Sequence, residues 1–220
     1  MLFTKAILFL LVGTLFVGGL VFFPAGTLHF ANGWLLMGVL FVPMLVMGVV
    51  MFFRAPDLLR KRLNHKEKQG EQKAVVSLSA LMFVCSFIVS GLDFRFGWSA
   101  VPIWLVALSA VVFLLGYGMY AEVLRENAYL SRTVEVQEGQ KVISTGLYGV
   151  VRHPMYTATL LMFLAMPIIL GSWWGLLIQL VYPVLIVIRL RAEERLLVQE
   201  LDGYAEYRRK VKHRLIPFVW

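Results

Sequence analysis

Hydrophobic residues along this chain fall into six long runs that are separated by polar segments. The runs cover about residues 5–23, 34–53, 74–92, 98–120, 154–171 and 173–189, and none has an acidic or basic residue in its interior. A bilayer core needs roughly 20 apolar residues per helix. The pattern therefore predicts an all-α integral membrane protein with about six transmembrane helices. Only Gly171 and Ser172 separate the fifth run from the sixth, which predicts a tight antiparallel hairpin.

The basic residues between the runs predict the orientation. With six spans, Arg95 lies on one side of the membrane, and all the other Lys and Arg residues, out of 21, lie on the opposite side. The positive-inside rule then places both termini and the long segments 54–73 and 121–153 in the cytoplasm. We expect segment 54–73 to be a solvated connector without chemistry of its own.

Composition narrows the class of protein further. The chain is 60% hydrophobic and 15% charged, whereas soluble domains are about 25% charged. The net charge of +8 does not indicate a nucleic-acid partner, because the basic residues lie at the ends of apolar runs rather than on a soluble face. A single cysteine, Cys85, provides no zinc-ligand set. We expect one membrane domain over residues 1–220, with neither a metal nor a nucleic acid as partner.

Polar residues that can carry chemistry precede the fifth run. Mid-span ionisable residues, which are typical of ion-coupled carriers, are absent from the runs. Segment 121–153 is longer than a simple connector needs, and its alternation at 133–136, with a turn at Glu138-Gly139, predicts a short hairpin or lid. Arg152 and His153 then precede Pro154, which suits the first position of a helix. Free N–H groups in that first turn favour an anionic ligand group.

A second charged cluster follows the sixth run. Arg189 and Glu193 are four residues apart and so share a helix face, and Glu194 follows directly. Because a buried carboxylate needs a partner, these residues suggest a site at the membrane interface. Interface anchoring at the first cluster and a solvated, salt-bridged helix start at the second remain alternatives. The tail, 195–214, is expected to form an amphipathic helix that lies on the membrane and closes the site.

The combined pattern resembles the isoprenylcysteine carboxyl methyltransferase family, to which the membrane phospholipid N-methyltransferases are related. The resemblance covers residues 98–218, leaves 1–97 without a family motif, and is carried by Gly146, Tyr148, His153, Pro154, Met155, Tyr156, Arg189, Glu193, Glu194, Tyr204 and Tyr207. It implies S-adenosylmethionine as cofactor. The implied cofactor-binding residues are Gln140, Lys141, Val142, Ile143, Tyr148, Arg152, His153, Pro154, Met155, Tyr156 and Glu193. Arg189, Glu193 and Glu194 are the expected catalytic residues, with Arg189 facing the acceptor.

The resemblance leaves the acceptor open. It implies a lipophilic or amphiphilic molecule, either the carboxylate of an isoprenylcysteine-like compound or the amine of a lipid, and membrane lipids as further partners. An amine would need a base, for which Glu194 or His153 is the candidate. Two other functions remain possible at this point. One is a sterol-reductase-like enzyme that uses NADPH, and the other is a non-enzymatic membrane scaffold or carrier.

Overall fold

A computed structural model describes residues 2–63, 70–130 and 136–220, with side chains at all of these except 61, 70 and 71. Within these ranges the chain is helical and contains no strand. The helices are α1 (Leu2–Ala25), α2 (Ala31–Arg54), α3 (Pro56–Arg62), α4 (Gly70–Phe96), α5 (Ile103–Glu126), the 3-10 helix η1 (Gly146–Gly149), α6 (Pro154–Ile169), α7 (Trp173–Gln179), α8 (Val181–Glu200) and α9 (Tyr204–Lys210). The all-α membrane fold predicted from the sequence is confirmed.

Five helical segments among the described residues are long and apolar enough to cross a membrane: α1, α2, α4, α5 and the combined stretch Trp173–Glu200. Helix α6 is shorter, because it begins at Pro154 and ends after Ile169. Its far end nevertheless reaches the end of α4, since Ser172 donates to Asp93 in the last turn of α4 and the N–H of Trp173 donates to Ser99 in the α4–α5 loop. Six crossings are therefore consistent with the structure, five by long helices and one by α6.

A buried carboxylate holds this end of the bundle together. Asp93, 1% exposed, accepts hydrogen bonds from the backbone N–H and the hydroxyl of Ser99, each at 2.7 Å, and from the hydroxyl of Ser172. Ser172 also caps α7 by accepting from the N–H of Gly175 at 2.8 Å. A carboxylate buried in this way is tolerated because every oxygen has a donor. The network fixes the hairpin between α6 and α7 against α4.

The sixth run forms two helices rather than one. Pro183 has no N–H to donate to the carbonyl of Gln179, and the helix is interrupted at Leu180 between α7 and α8. Beyond the interruption, α8 continues to Glu200, eleven residues past the predicted end of the run at 189. The charged cluster that begins at Arg189 therefore lies within a regular helix that extends out of the apolar region.

The core lies where α5 and α6 pack together against the first helices. Gly116 allows the close approach, because a Cβ at this position would lie 2.9 Å from Met162 and 3.1 Å from the carbonyl oxygen of Ala158. Phe113 and Ile169 are fully buried beside them. Outside this core, large apolar side chains of α1, α2 and α5 are exposed, as expected for helices that face lipid.

Three expectations need correction or restriction. Segment 54–73 is not simply a solvated connector, because α3 forms within it and buries Leu58 and Leu59 against Met51 and Leu124. The tail 195–214 is not one helix: α8 ends at Glu200, the left-handed residue Gly203 redirects the chain, and α9 follows. The hairpin or lid expected around 133–136 falls mostly on residues 131–135, outside the described part of the chain. The turn at Glu138-Gly139 is present.

Candidate active site

One cleft opens at the end of the bundle where α6 begins and α8 leaves the apolar region. Its open space, including solvent at the mouth, is about 870 Å³. Its lining combines four parts of the chain: residues 127–130, residues 140–148, the start of α6, and the α8–α9 region. The lining residues are Asn127, Tyr129, Leu130, Gln140, Lys141, Val142, Ile143, Tyr148, Arg152, His153, Met155, Tyr156, Arg189, Glu193, Leu196, Leu197, Leu201, Tyr204 and Tyr207.

The start of α6 is held by the tail of the chain. The backbone N–H of Arg152 donates to the carbonyl of His213 at 2.9 Å, and that of His153 donates to the carbonyl of Arg214 at 3.0 Å. Thr157, in the first turn of α6, donates its hydroxyl to the carbonyl of Leu215 at 2.7 Å. The tail thus runs alongside the residues that precede α6 and fixes the backbone of one cleft wall.

The first turn of α6 has fewer unpaired backbone N–H groups than the sequence suggests. The N–H groups of Tyr156 and Thr157 both donate to the carbonyl of His153, at 3.0 and 3.3 Å. Pro154 has no N–H, so Met155 is the first-turn residue whose amide lacks a hydrogen bond within the described structure. A ligand at this helix start would meet one backbone donor and the side chains around it.

Glu194 lies inside the wall rather than in the cleft. Its carboxylate oxygens accept from Nε of Arg152 at 2.7 Å and from Nε of Arg214 at 3.0 Å, and Nε2 of His153 lies 3.4 Å away. Arg152 is itself committed, since its Nη1 donates to the carbonyls of Val211 and Lys212. The side chains of Arg152 and Glu194 are 4% and 5% exposed. This network joins α6, α8 and the tail.

A chain of polar contacts faces the cleft itself. Nε of Arg189 donates to the hydroxyl of Tyr156 at 3.2 Å, and that hydroxyl donates to a carboxylate oxygen of Glu193. Nδ1 of His153 lies 4.0 Å from the other oxygen of Glu193, and the His153 ring stacks on Tyr156 at 5.8 Å between centroids. The i, i+4 spacing of Arg189 and Glu193 thus places one cation and one anion on the same wall, bridged by Tyr156.

The opposite wall is built around Tyr148 in η1. Its hydroxyl accepts from Nδ2 of Asn127 at 2.8 Å, and its carbonyl accepts from the hydroxyl of Tyr207 at 2.7 Å. Burial raises the pKa of Tyr148 to about 12, so this hydroxyl stays protonated at neutral pH. Gly146 permits the turn because it has a φ of +52°, and a Cβ there would also press on the Glu126 carboxylate.

The roof of the cleft is formed by segment 136–143 and α9. Val142 and Val136 pack against Leu201, Tyr204 and Tyr207. Hydrogen bonds shape the segment itself: the side-chain oxygen of Gln140 accepts from the N–H of Gln137 at 2.9 Å, and the hydroxyl of Tyr129 donates to the carbonyl of Gly139 at 3.0 Å. The four residues 140–143 all line the cleft.

One buried polar atom in the cleft has no partner. The hydroxyl of Tyr204 lacks a hydrogen bond to any described group, although Tyr204 is 4% exposed and lines the cleft. Burial raises the pKa of this residue above its usual range, so it remains a donor. An unpaired buried hydroxyl costs free energy, and this oxygen is itself buried rather than open to the cleft.

The residues predicted from the sequence are therefore brought together, with two exceptions. Pro154 does not line the cleft and instead starts α6. Glu194 does not line it either and is held by Arg152 and Arg214, so its position does not suit a catalytic base. Sequence reasoning missed Asn127 and Tyr129, which immediately follow α5 and become recognisable only once that helix is seen to end at Glu126.

Comparison with known proteins fits this geometry. Residues 103–202 match the model of the phospholipid methyltransferases. This segment, 100 of the 220 residues, is similar to the phospholipid methyltransferase family. This family is that of the isoprenylcysteine carboxyl methyltransferase-like membrane methyltransferases, so the predicted resemblance is confirmed. The matched residues start at the first residue of α5 and end before α9, and they contain η1, α6 and the charged part of α8.

The family assigns a general activity. The protein is a multi-pass integral membrane methyltransferase. This assignment favours the methyltransferase over the reductase and the scaffold, which were the alternatives open from the sequence. The division into a motif-free region 1–97 and a core 98–218 stays a prediction, although the matched segment lies within that core.

Proposed function

We propose that the protein transfers a methyl group from S-adenosylmethionine to a lipophilic acceptor, with the cleft as the site of both ligands. The observation that carries the proposal is the pairing of Arg189 and Glu193 through Tyr156 on one cleft wall. It presents an anion and a cation side by side at the point where α8 leaves the apolar region. A zwitterionic, cationic cofactor and an amphiphilic acceptor each need one of these charges.

The cleft residues fit the cofactor. Glu193 is 25% exposed at its side chain and can accept from the amino group of the cofactor. Tyr148, Tyr204 and Tyr207 line the cleft and provide aromatic faces that favour a nearby cation. Gln140 to Ile143 line the remaining side. We propose these roles from the positions of the side chains, and for each we expect cofactor affinity to fall when the side chain is removed.

For methyl transfer, the main tasks of the protein are to position the two reactants and to exclude water. When bound, S-adenosylmethionine supplies an electrophilic methyl group whose bond to sulfur breaks as the acceptor bonds to carbon, and the electron pair stays on sulfur. Arg189 orients the acceptor, and Glu193 with Tyr156 fixes the other partner. The apolar residues Leu196 and Leu197 exclude water. Positioning and exclusion of water are the main sources of rate acceleration in such a site.

A carboxylate is the acceptor group that this site favours. A carboxylate needs no base, whereas an amine must lose a proton before it reacts. Glu194, one of the two candidate bases, is bound by two arginines and lies outside the cleft. Arg189, by contrast, lines the cleft and suits an oxyanion. A lipid amine remains the second candidate, with His153 as the base.

The side of the membrane on which the cleft lies is predicted by the same basic residues that predict the orientation of the chain. The cleft lies at the end of the bundle that carries Arg189 and the basic tail, so the positive-inside rule places it at the cytoplasmic surface. We propose that the acceptor reaches it from within the membrane. Its apolar part would remain in the bilayer while its polar group meets Arg189 at the interface.

Calorimetry with the purified protein in detergent tests the proposal. S-Adenosylhomocysteine should bind saturably, NADPH should not, and Glu193→Ala should weaken binding at least tenfold. Glu206→Ala is the matched control, because Glu206 is an exposed acidic residue of α9 that does not line the cleft. Equal binding by Glu193→Ala and Glu206→Ala would refute the assigned role of Glu193. Failure of folded wild-type protein to bind S-adenosylhomocysteine would refute the cofactor.

A further inference from the structure

Two arginines continue an exposed apolar stripe of α8. Val184 and Ile188 are 59% and 48% exposed, and Arg191 and Arg195 follow on the same face at helical spacing. A helix rises 1.5 Å per residue, so their Cα atoms lie roughly 5 and 10 Å beyond Ile188 along the axis. The polar layer on each side of a bilayer is roughly 5–8 Å thick. Arg191 therefore falls at the level of lipid headgroups, and Arg195 lies at their outer edge, within reach of them through its long side chain.

A groove lies at the same place, on the side of α8 that faces away from the cleft. Its open space, with solvent included, is about 780 Å³, and its lining residues are Arg191, Glu194, Arg195, Val198, Gln199, Arg208 and Arg214. We call it the arginine groove. Four of the seven lining residues are arginines, contributed by α8, α9 and the tail, and one is acidic. That acid, Glu194, is already bound by Arg152 from the cleft side.

We propose that the arginine groove binds the phosphate group of an anionic phospholipid. Guanidinium groups match phosphate oxygens with paired hydrogen bonds, and several at one point attract an anion strongly. The apolar stripe at Val184 and Ile188 lies directly below, where acyl chains of the same lipid would pack. This continuity favours a membrane lipid over free phosphate. The site is separate from the cleft and does not depend on the methyltransferase proposal.

The groove can be filled without disrupting the cleft wall. Arg214 lines the groove and donates through Nε to Glu194 at 3.0 Å. Its terminal nitrogens carry further N–H donors, so a phosphate can bind Arg214 while that bond remains. Glu194 keeps its contact with Arg152 on the other side. A bound lipid would therefore brace the same network that fixes the start of α6.

Native mass spectrometry of the detergent-purified protein tests the site with dioctanoyl-phosphatidylglycerol as the probe. The comparison is between Arg195→Gln/Arg208→Gln and Arg209→Gln. Arg209 is the matched control, because it is an exposed neighbour of Arg208 that does not line the groove. We expect about fivefold weaker binding for each groove arginine removed and wild-type binding for the control. Phosphatidylcholine should bind more weakly than phosphatidylglycerol in the wild type.

Three results would overturn the proposal. Equal affinity of the double variant and Arg209→Gln would show that the lipid binds elsewhere. Equal binding of phosphatidylcholine and phosphatidylglycerol would show that the net negative charge of the lipid headgroup does not contribute to binding. Displacement of the lipid by inorganic phosphate at the same concentration would identify a free-phosphate site instead. Since no cofactor is added, the outcome is independent of the calorimetric test of function.

Discussion

Replacing Glu194 by glutamine should destabilise the protein rather than remove a catalytic group. The two oxygens of Glu194 face different arginines, Arg152 at 2.7 Å and Arg214 at 3.0 Å. Glutamine keeps one acceptor oxygen and replaces the other with an NH₂ donor, so one arginine must face a donor. The side chains of Arg152 and Glu194 are 4% and 5% exposed, so water compensates little at that pair, whereas Arg214 is 27% exposed and can gain water in place of its lost contact.

The size of the effect can be estimated from this geometry. Breaking a buried ion pair by changing one partner costs about 3–5 kcal/mol. Arg152 retains the carbonyls of Val211 and Lys212 as acceptors, which places the expected cost near the lower end, about 3 kcal/mol. For a chain of this length, such a loss lowers the Tm by roughly 6–12 °C.

Thermal unfolding in detergent measures the change directly, with Glu200→Gln as the control because Glu200 is an exposed acid on the same helix. Limited trypsin digestion is a second readout, since loosening the tail should speed cleavage after Lys210 or Lys212. A structural role for Glu194 is refuted if Glu194→Gln melts within about 2 °C of wild type, keeps its tail protected and yet loses methyl transfer. That result would make Glu194 a catalytic base.

Three further predictions concern the cleft. Gly146→Ala should lower the Tm by roughly 4 °C, because the residue has a φ of +52°, which is strained for alanine, and the Glu126 carboxylate would have to move away from the new Cβ. Gly118→Ala, with nothing near its Cβ, should not; equal melting of both variants would contradict this. Tyr156→Phe should raise the Kd for S-adenosylhomocysteine about tenfold by removing a hydrogen bond to a carboxylate, and unchanged calorimetric affinity would exclude that role. Since the pKa of Tyr148 is raised from 10.0 to about 12, the folded state holds this proton more tightly, and stability linked to it should be constant below about pH 10 and fall between about pH 10 and 12. Loss of the Tyr148→Phe-sensitive part of stability below pH 9 would be inconsistent with a buried hydroxyl.

The spans were predictable because hydropathy alone specifies them. Apolar runs of about 20 residues have few alternatives to a membrane helix, and Pro154 marks the start of α6 as the sequence predicted. The boundaries were less predictable. Helix α8 continues to Glu200, since its charged residues find partners in the fold and need not end the helix.

The residues that line the cleft were largely predictable from the sequence, but the hydrogen bonds that hold them in place were not. Tyr148, His153, Tyr156, Arg189 and Glu193 all line it, because their spacing places them at the ends of adjacent helices. What local pattern could not reveal is the return of the tail. Its carbonyls accept the N–H groups of residues 152 and 153, and this long-range pairing leaves no periodic signal in the sequence.

The packing of the tail also explains why Glu194 does not line the cleft, although the sequence suggested a catalytic role for it. Glu193 and Glu194 are adjacent, so they point to different sides of α8. One faces the cleft and contacts Tyr156, whereas the other faces Arg152 and Arg214. Sequence position alone does not distinguish the two, because which side is occupied by arginines depends on where α6 and the tail pack.

Transfer of a radiolabelled methyl group from S-adenosylmethionine tests the central claim most directly. The purified protein, reconstituted in lipid, would be offered a prenylated cysteine derivative with a free carboxylate, a lipid amine and a water-soluble carboxylate. We expect label in the prenylated carboxylate, lost in Glu193→Ala and retained in Glu206→Ala. Equal labelling of the water-soluble carboxylate, or full activity of Glu193→Ala, would contradict it.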